Sequence, residues 1–395
     1  MNKKLIPFVA LALLGTAATS CGASTNEKAT IFYNRQPSTN NVVDKNVMNH
    51  TANTYYAGFD AVGGGATQGQ MIVDYVKAHA AEMDRNGDGT IGYVLAIGQN
   101  SHNDSAARTI GIRKALGTGE TADDTTASKE GSLTANDGKT YKIKELACQE
   151  MRDSQGNPWS QSKATDMMAT WINQYSTQID LVVSNNDGMA EGMIGQYGGA
   201  VIPTFGYDAN ASTLQLIKQG GSMKGTISQN HHSQVLTCLQ LVRNIVDGLT
   251  GKDVVTKGFT EKDQYGNQIT QAKVNYTAED KAMLTENGIV TVDNVDDVIE
   301  DTLDSGIKQT NAARKKILWT VYSSTDNFLN QSFVPTVQRY APFYNYDITF
   351  IYGDGTAEGS ITDKFVNLSN YDAYVINMVE TGSGSLYQNL LDQAA

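Results

Sequence analysis

Cysteine, proline and positive charge are all scarce in this sequence. Among 395 residues there are 3 cysteines and 6 prolines, and 30 Lys and Arg stand against 42 Asp and Glu. Three cysteines cannot build a disulfide scaffold or a four-cysteine zinc site. A net charge of -12 does not provide the basic surface that neutralises a phosphate backbone, so nucleic acid is not expected as a partner.

Long apolar segments are missing too, apart from one near the amino terminus. Lys3 and Lys4 precede a short apolar run, and small residues follow it up to Cys21. Such a run is too short to span a bilayer but suits the apolar core of a signal peptide. We expect residues 1–20 to be a signal peptide and Cys21 to be a lipidated residue, as at a bacterial lipoprotein cleavage site. Ala18 stands where that site more often has Leu, which leaves ordinary signal-peptide cleavage as the alternative. The expected location is outside the cell, with a lipid anchor at the outer face of the cytoplasmic membrane or in the periplasm.

The remaining chain alternates short apolar runs with segments of helical periodicity. This alternation is typical of α/β proteins with parallel sheets, which is the predicted fold class. A polar turn in the middle of Lys257–Lys273 predicts a hairpin, and Gly63–Gly65 is interpreted as a turn. The predicted strands are Ala29–Tyr33, Gly92–Ile97, Tyr141–Ala147, Ile179–Ser184, Val201–Phe205, Gly225–Ser228, Ile317–Tyr322, Ile348–Tyr352 and Ala373–Ile376.

Polar and aromatic residues follow most of these predicted strands. Ligands of open α/β sheets bind beyond the carboxyl ends of the strands. A sugar hydroxyl both donates and accepts hydrogen bonds, and the C–H face of a pyranose stacks on aromatic rings. The set therefore favours a neutral polyol such as a sugar. Its members are Asn34, His102, Asp104, Arg108, Trp159, Asn186, Asp208, Gln229, Asp326 and Phe328.

Several longer motifs resemble one family. They are Thr30–Pro37, Tyr55–Gly58, Asp84–Gly89, His102–Asp104 with Arg108, Asn185–Met189 and Phe205–Asp208. Together they resemble the bacterial galactose/glucose-binding proteins that serve ABC importers. The resemblance implies a two-lobed periplasmic-binding-protein type I fold, in which each lobe is a parallel sheet flanked by helices and a hinge joins the lobes. It also implies a monomer that captures a hexose, glucose or galactose, in the interlobe cleft and delivers it to an ABC transporter permease.

The opening segment of that family is absent from the start of this chain. A matching segment, Thr320–Phe328, occurs near the end, so the chain resembles a circular permutant. On this interpretation the first lobe comprises 21–57, 230–272 and 316–395. The second lobe comprises 58–229 and 273–284, with 285–315 as a connector, and the two termini lie side by side. The rival arrangement is a complete unit followed by a separate domain over 317–395.

The resemblance assigns roles to the candidate ligand-binding residues. Phe328 and Trp159 would sandwich the pyranose ring from opposite lobes. The polar residues would hydrogen-bond its hydroxyls, with Asp326 and Asn34 on one lobe and His102, Asp104, Arg108, Asn186 and Asp208 on the other. Gln229 stands where the family usually has Asn, near the hinge.

A second candidate site is a metal-binding loop. Asp84, Asn86, Asp88 and Thr90 occupy alternate positions of a segment that repeats the start of an EF-hand loop, which predicts Ca²⁺. The resemblance supplies the distant closing carboxylate as Asp180. The alternative is a polar turn without an ion.

Two other classes of function stay open at this point. A glycoside-processing enzyme could use Asp104 and Asp208 as a carboxylate pair, although no feature indicates a carboxyl kept protonated for acid catalysis. A sugar-sensing lobe for a chemoreceptor or sensor kinase would have the same sequence features as a transport protein. We expect a binding protein and not an enzyme, with Cys148 and Cys238 as buried free thiols.

Overall fold

A computed structural model of the protein describes residues 27–39, 42–259, 274–299 and 310–395, which form two lobes built on seven-stranded sheets. The strands of these residues are β1 (Ala29–Tyr33), β2 (Ser38–Thr39), β3 (Val42–Val43), β4 (Thr54–Phe59), β5 (Thr90–Ile97), β6 (Gly131–Thr134), β7 (Thr140–Glu150), β8 (Leu181–Ser184), β9 (Thr204–Phe205), β10 (Met223–Ser228), β11 (Val274–Thr277), β12 (Ala282–Thr285), β13 (Gly288–Thr291), β14 (Lys315–Val321), β15 (Tyr346–Tyr352) and β16 (Ala373–Ile376).

Helices cover the faces of the sheets, which keeps the parallel strands out of water. They are α1 (Lys45–Met48), α2 (Ala61–Met83), α3 (Asn103–Leu116), α4 (Gln161–Tyr175), α5 (Asp187–Ile194), α6 (Ala211–Lys218), α7 (His231–Val246), α8 (Lys252–Thr256), α9 (Val295–Ile299), α10 (Val334–Tyr340), α11 (Gly359–Thr362) and α12 (Gln388–Ala394). None of the helices in the described ranges is long and apolar enough to cross a membrane.

Both sheets are parallel in the middle, and antiparallel strands occur at one edge of the first-lobe sheet and at both edges of the second-lobe sheet. The first-lobe order is β11-β12-β4-β1-β16-β14-β15, and only β11 runs against its neighbour. The second-lobe order is β13-β10-β9-β8-β5-β7-β6, with β13 and β6 antiparallel at the two edges. Central strands such as β1 and β8 are buried at every position, because helices pack on both faces. The predicted two-lobed α/β fold is confirmed.

Each of the nine predicted strands is present. Ala29–Tyr33 and Ala373–Ile376 have the predicted ends, and the other seven have at least one shifted end. The largest shortening is in the Val201–Phe205 prediction, where the strand begins only at Thr204, directly after Pro203, which has no N–H to donate. β4 was not among the predicted strands. It is buried at all six positions between β1 and β12, so its sequence lacks the polar alternation that marks a half-exposed strand.

Two of the predicted lobe boundaries are wrong. Residues 273–284 were placed in the second lobe, but β11 and β12 extend the first-lobe sheet, where β12 pairs with β4. The predicted connector 285–315 contains β13, which pairs with β10 in the second lobe, and α9. Pairing along sheet edges decides these memberships, and the edge partner is more than fifty residues away in sequence. Most of the predicted hairpin Lys257–Lys273 lies outside the described residues.

The glycine-rich segment predicted as a turn is helical instead. Gly64 and Gly65 belong to the start of α2, which crosses α3 with the two backbones in contact. A Cβ added to Gly65 would lie 2.2 Å from the carbonyl oxygen of Ala107, and one added to Gly111 would lie 2.3 Å from the backbone of Gly65. The glycines therefore allow a close helix crossing, which places the start of α3 beside the interlobe cleft.

The two ends of the described chain meet on the first lobe. The Lys28 N–H donates to the Ala394 carbonyl at 2.8 Å, and β1 pairs in parallel with β16. β14, β15 and β16 share one sheet with β1 and β4, so residues 317–395 do not form a separate appended domain.

Candidate functional site

The carboxyl ends of the central strands of both sheets face one interlobe cleft. A cavity of about 30 Å³ lies there, and all ten predicted ligand-binding residues line it. The first lobe contributes Asn34, Arg35, Tyr322, Asp326 and Phe328. The second lobe contributes His102, Asp104, Arg108, Trp159, Asn186 and Asp208, and Gln229 lies where the chain passes between the lobes. A water needs at least about 10–15 Å³, so this cavity has room for about two water molecules, and a larger ligand would require the lobes to move apart.

Arg108 and Asp208 form the charged centre of the second-lobe wall. Arg108 Nη1 lies 3.6 Å from Asp208 Oδ1 and donates to the Asn185 carbonyl at 2.7 Å. The guanidinium stacks on the Tyr207 ring, 3.6 Å from its centroid. Burial raises the pKa of Asp208 well above its usual value, against the lowering effect of Arg108. Gln229 Nε2 also donates to Asp208 Oδ1, so both charged groups are held in fixed orientations.

His102 caps the amino terminus of α3 and keeps the start of that helix in the cleft. Its Nδ1 accepts from the Asp104 N–H at 3.1 Å, and its ring meets Trp159 edge-on with centroids 5.4 Å apart. Burial lowers the pKa of His102 well below its usual value, and the charges of Arg35 and Arg108 lower it further. His102 is therefore neutral at pH 7. Because Nδ1 already accepts from the Asp104 N–H, the proton is on Nε2, which is left as a hydrogen-bond donor.

Burial raises the pKa of Asp104, and Arg108 and Arg35 partly offset this rise. Asn186 caps α5, where its Oδ1 accepts from the Met189 N–H at 2.9 Å. Both side chains are thus oriented by helix starts that point into the cleft.

The first-lobe wall is built after β14. Asp326 Oδ1 accepts from the Leu329 N–H at 2.8 Å, and Tyr322 Oη donates to Asp326 Oδ2 at 2.5 Å. Phe328 lies beside them and is 6% exposed, in edge-on contact with Phe333. A short hydrogen-bonded turn therefore presents a carboxylate and an aromatic ring to the opposite lobe.

Three of the cleft residues have left-handed backbones. The φ angles are 58° at Asn34, 60° at Trp159 and 121° at Asp208. Such conformations are rare for residues other than glycine, above all for a bulky residue such as Trp, and they concentrate at ligand sites. The Trp159 ring lies over Gly98, where an added Cβ would stand 2.1 Å from the ring. The fold thus holds these side chains in positions that an unstrained backbone would not give them.

Some buried polar atoms of the cleft have no hydrogen-bond partner within the described residues. They include Arg108 Nε, Trp159 Nε1 and Gln229 Oε1. Buried polar atoms are normally paired, and an unpaired one costs about 1–3 kcal/mol. With Arg35 Nε, three donors and one acceptor are therefore available to a ligand that carries hydroxyl groups.

Arg35 and Tyr322 line the cavity and were not among the predicted site residues. The Arg35 guanidinium stacks on the Tyr322 ring at 3.6 Å. Both follow or end predicted first-lobe strands, as Asn34 and Asp326 do, so their position at strand ends was the available signal.

Hydrogen bonds with Arg35 and Glu358 hold the segment Val379–Glu380, which contacts the second lobe. Arg35 donates to the Val379 carbonyl, while Glu358 accepts from the Val379 N–H at 3.0 Å and the Glu380 N–H at 2.9 Å. Gln99 of the second lobe then donates to Glu380 Oε1 at 2.7 Å. The segment Val379–Glu380 of the first lobe is thereby joined to the second lobe by a direct hydrogen bond.

Three chain segments that pass between the lobes are tied together beside Gln229. Thr285 Oγ1 lies 3.1 Å from the Gly58 carbonyl and 3.2 Å from the Gln229 carbonyl. Asn287 Nδ2 donates to the Asp60 carbonyl at 2.9 Å. These bonds make the crossing segments one hinge region, about which the lobes can open.

The predicted metal loop lies between α2 and β5, away from the cleft. Asp84 Oδ1 accepts from the Asp88 N–H at 3.0 Å, and Asn86 Oδ1 accepts from the same N–H at 3.1 Å. Asp88 Oδ1 accepts from the Thr90 N–H at 2.8 Å. The loop therefore has the tight turn geometry of its motif, with oxygen atoms as the available donors.

Asp180 fastens the two ends of this loop. Its carboxylate oxygens accept from the Arg85 and Gly92 N–H groups, each at 3.0 Å. Burial raises its pKa to about 6, and those two hydrogen bonds partly offset the rise. Among the described residues, no group of three or more His, Cys, Asp or Glu side chains is arranged to hold a metal ion. The oxygen donors suit the chemistry of Ca²⁺, and the calcium site stays a prediction.

The predicted lipidation residue Cys21 and the predicted signal peptide lie outside the described residues. Cys148 and Cys238 are free and buried, as predicted.

Comparison with known proteins gives matches to two segments of the chain, which together include strands of both sheets. A model of the family described as "Periplasmic binding protein domain" matches residues 24–250, and a second model with the same description matches residues 314–384. The D-galactose/methyl-galactoside binding periplasmic protein MglB of Haemophilus influenzae is 26% identical over 258 residues. That match covers 64% of this chain and 64% of MglB, just under two thirds of its length.

Two of the solved structures that the chain matches contain a bound ligand. An ABC transporter solute-binding protein from Bacillus halodurans with bound myo-inositol is 16% identical, covers 67% of both chains and has a TM-score of 0.43. A Mycobacterium smegmatis protein in complex with β-D-fucofuranose is 15% identical, covers 70% of this chain and 71% of the other, and has a TM-score of 0.44.

The matching proteins are binding proteins, which agrees with the prediction that this chain is not an enzyme. The first family model spans more than half of the chain, and its range includes seven of the second-lobe and hinge residues of the cleft. The chain belongs to the periplasmic binding protein domain family.

Proposed function

We propose that this protein is an extracytoplasmic sugar-binding protein that captures a hexose between its lobes and delivers it to an ABC transporter. The observation that carries the proposal is the convergence of ten predicted residues from both lobes on one cavity. The amide, imidazole, guanidinium and carboxylate groups there can both donate to and accept from sugar hydroxyls. The half-buried Trp159 and the buried Phe328 stand on opposite walls, where they can contact the two faces of a pyranose.

The hexose is glucose or galactose on this proposal. Similarity to a D-galactose/methyl-galactoside binding protein supports a monosaccharide of this class. Gln229 is the residue most relevant to the choice, because its donation to Asp208 leaves its own oxygen, Oε1, without a partner.

Isothermal titration of the mature protein with glucose, galactose, ribose, fructose and myo-inositol tests the proposal. We expect one hexose to bind and to be recovered chemically unchanged. Absence of binding to every sugar in the panel would contradict the proposal. Expression together with an ABC permease or with a chemoreceptor would then separate transport from sensing, which share the same binding step.

The lipid anchor is part of the same proposal. Its support is the sequence up to Cys21 and the position of Lys28 beside the carboxyl-terminal helix, at the amino end of β1 and therefore opposite the cleft. Radioactive fatty acid should label the wild type and not Cys21→Ala. Label in both, or in neither, would contradict lipidation.

Circular permutation of the family's element order is also proposed. It is supported by the contact between Lys28 and Ala394 and by the pairing of β1 with β16. A variant that joins residue 395 to residue 27 by a short linker, with new termini between 299 and 310, tests it. We expect the variant to fold and to bind the same hexose, and an insoluble product would count against the proposal.

Calcium binding at the Asp84–Thr90 loop is proposed on its alternating oxygen donors and the closing carboxylate of Asp180. Added Ca²⁺ should raise the melting temperature of the wild type and not that of Asp84→Ala. Asp137→Ala, in another exposed turn, is the matched control and should retain the response. Equal melting temperatures of the wild type with Ca²⁺ and with a chelator would contradict the calcium site. We expect the hexose preference to be the same under these two conditions.

A further inference from the structure

A second, much larger cavity adjoins the hexose cleft. Its volume is about 740 Å³, within the range of about 300–1,000 Å³ that is usual for ligand pockets. It lies between the lobes, with one wall formed by α2 and α3 and the other by residues around β2, β3 and β4.

The two cavities adjoin at Arg35 and Asp104, which line both. These two side chains therefore stand between a ligand in the cleft and the larger cavity. Asn103 Nδ2 of the second lobe donates to Ser38 Oγ of the first at 2.6 Å along the same wall, so the two lobes enclose the cavity jointly.

The larger cavity is mainly apolar, unlike the cleft. Ala66 and Val62 of α2 and Ala107 and Ile110 of α3 line one side, and Tyr56 lines the other. Val62 is 74% exposed and adds an accessible apolar side chain to the lining of this cavity. Small apolar side chains beside an aromatic ring suit an apolar group of limited size and not a further hydroxylated sugar ring.

A third cavity, which borders a different part of the cleft, is mainly polar. It has a volume of about 290 Å³ and shares Trp159, Asn186 and Asp326 with the cleft, and most of its lining is polar. A disaccharide would extend in this direction, whereas an apolar substituent would extend past Arg35 and Asp104.

We propose that the larger cavity is an extension of the ligand site that accepts an apolar substituent on the sugar, so that the ligand class includes glycosides with an apolar aglycone. This inference rests on the proposed function, because the sugar itself is held in the cleft. It is carried by the adjacency of the two cavities, which share Arg35 and Asp104 as lining residues, and by the apolar α2 and α3 wall of the larger one.

Titration calorimetry with matched ligands tests the extension. The panel is glucose and galactose, their methyl glycosides and their phenyl glycosides in both anomeric forms, with cellobiose and lactose. For the hexose that binds, we expect the phenyl glycoside of one anomer to bind about tenfold tighter than the methyl glycoside, the scale expected for burying a phenyl ring.

Ala66→Phe fills the cavity from an exposed position of α2, and Ala81→Phe is the matched control on the same helix, exposed and outside the cavity lining. The ratio of phenyl to methyl glycoside affinity should fall to about one in Ala66→Phe and stay at its wild-type value in Ala81→Phe.

Equal affinity for phenyl and methyl glycosides in the wild type would overturn the inference, and so would a preference for cellobiose or lactose over the phenyl glycosides. A ratio that Ala66→Phe leaves unchanged would also overturn it, because the substituent would then lie elsewhere. In each of these cases the parent hexose still binds. Failure of the proposed function is distinct, since no sugar would bind at all.

Discussion

Two buried arginines five residues apart on α3 have very different surroundings. Arg113 is fully buried and donates to both oxygens of Glu145 at 2.9 and 2.8 Å, and further to carbonyls of the following loop, among them Thr121 and Thr125. Arg108 lies 3.6 Å from Asp208 and has an unpartnered Nε.

The difference separates structural from ligand-binding use of the same residue type. Arg113 is saturated by the protein itself, so it stabilises the second lobe and fixes the loop after α3. Arg108 is held in place by its bond to the Asn185 carbonyl and its stacking on Tyr207, but it keeps hydrogen-bonding capacity for a ligand. A binding site must leave some buried groups incompletely paired, at a cost in stability that the rest of the fold offsets.

The largest expected effect is on stability, at the saturated arginine. Glu145→Ala leaves the Arg113 charge buried without its carboxylate, which should lower the free energy of unfolding by about 3–5 kcal/mol. Chemical denaturation measures it. Glu130→Ala removes an exposed carboxylate near Lys142 and Lys144 and should cost at most about 1 kcal/mol. Similar losses of unfolding free energy in Glu145→Ala and Glu130→Ala would contradict a special structural role of the Arg113–Glu145 pair.

For Arg108 we expect a substitution to weaken ligand binding more than it lowers stability. Arg108→Gln removes charged donors from the cleft and should weaken hexose binding by about 1.5–3 kcal/mol, the scale of hydrogen bonds to charged groups. Titration calorimetry measures the binding, and denaturation should show a smaller stability loss than for Glu145→Ala. An unchanged hexose affinity would mean that Arg108 has the structural role of Arg113.

The aromatic residues of the cleft allow the same comparison for apolar contacts, because we expect Trp159 and Phe328 to bind the ligand and Trp171 to stabilise the core. Trp159→Ala and Phe328→Ala should each weaken hexose binding by about 1–3 kcal/mol. Trp171→Ala is a control for loss of a tryptophan that lies in the second-lobe core, 3% exposed and outside the cleft. It should lower stability and leave the affinity of the folded protein unchanged. Unchanged hexose affinity in both cleft variants would contradict the proposal that Trp159 and Phe328 stack on the two faces of the sugar.

The smallest expected effect is a pH dependence from His102. Its pKa is lowered in the folded protein, so below about pH 6.5 the unfolded chain takes up a proton that the folded protein refuses. Stability from this residue is present above about pH 6.5 and falls by at most about 1.4 kcal/mol per pH unit below it. Asn retains the helix cap without titrating, so His102→Asn should lose less stability than the wild type between pH 7 and pH 5. Parallel pH profiles of the two proteins would contradict this.

The fold class and the candidate site were largely predictable from sequence because both depend on local patterns. Parallel strands buried on both faces appear as apolar runs, and ligand groups follow their carboxyl ends. Asn34, His102, Asn186 and Asp208 were found by that rule alone. Gly63–Gly65 was misassigned because a close helix crossing and a turn both need glycine, and the sequence does not distinguish them.

The sequence by itself determined the two-sheet α/β architecture, the order of the strands along the chain and the residue types available at the strand ends. Only the tertiary structure decided that β12 belongs to the first lobe and β13 to the second, because each membership depends on an edge pairing with a distant strand. It also decided which of two similar arginines is saturated. The ion-pair partners Arg108 and Asp208 lie one hundred residues apart in sequence. A side chain's remaining capacity to bind a ligand depends on how many polar partners the folded chain brings within reach.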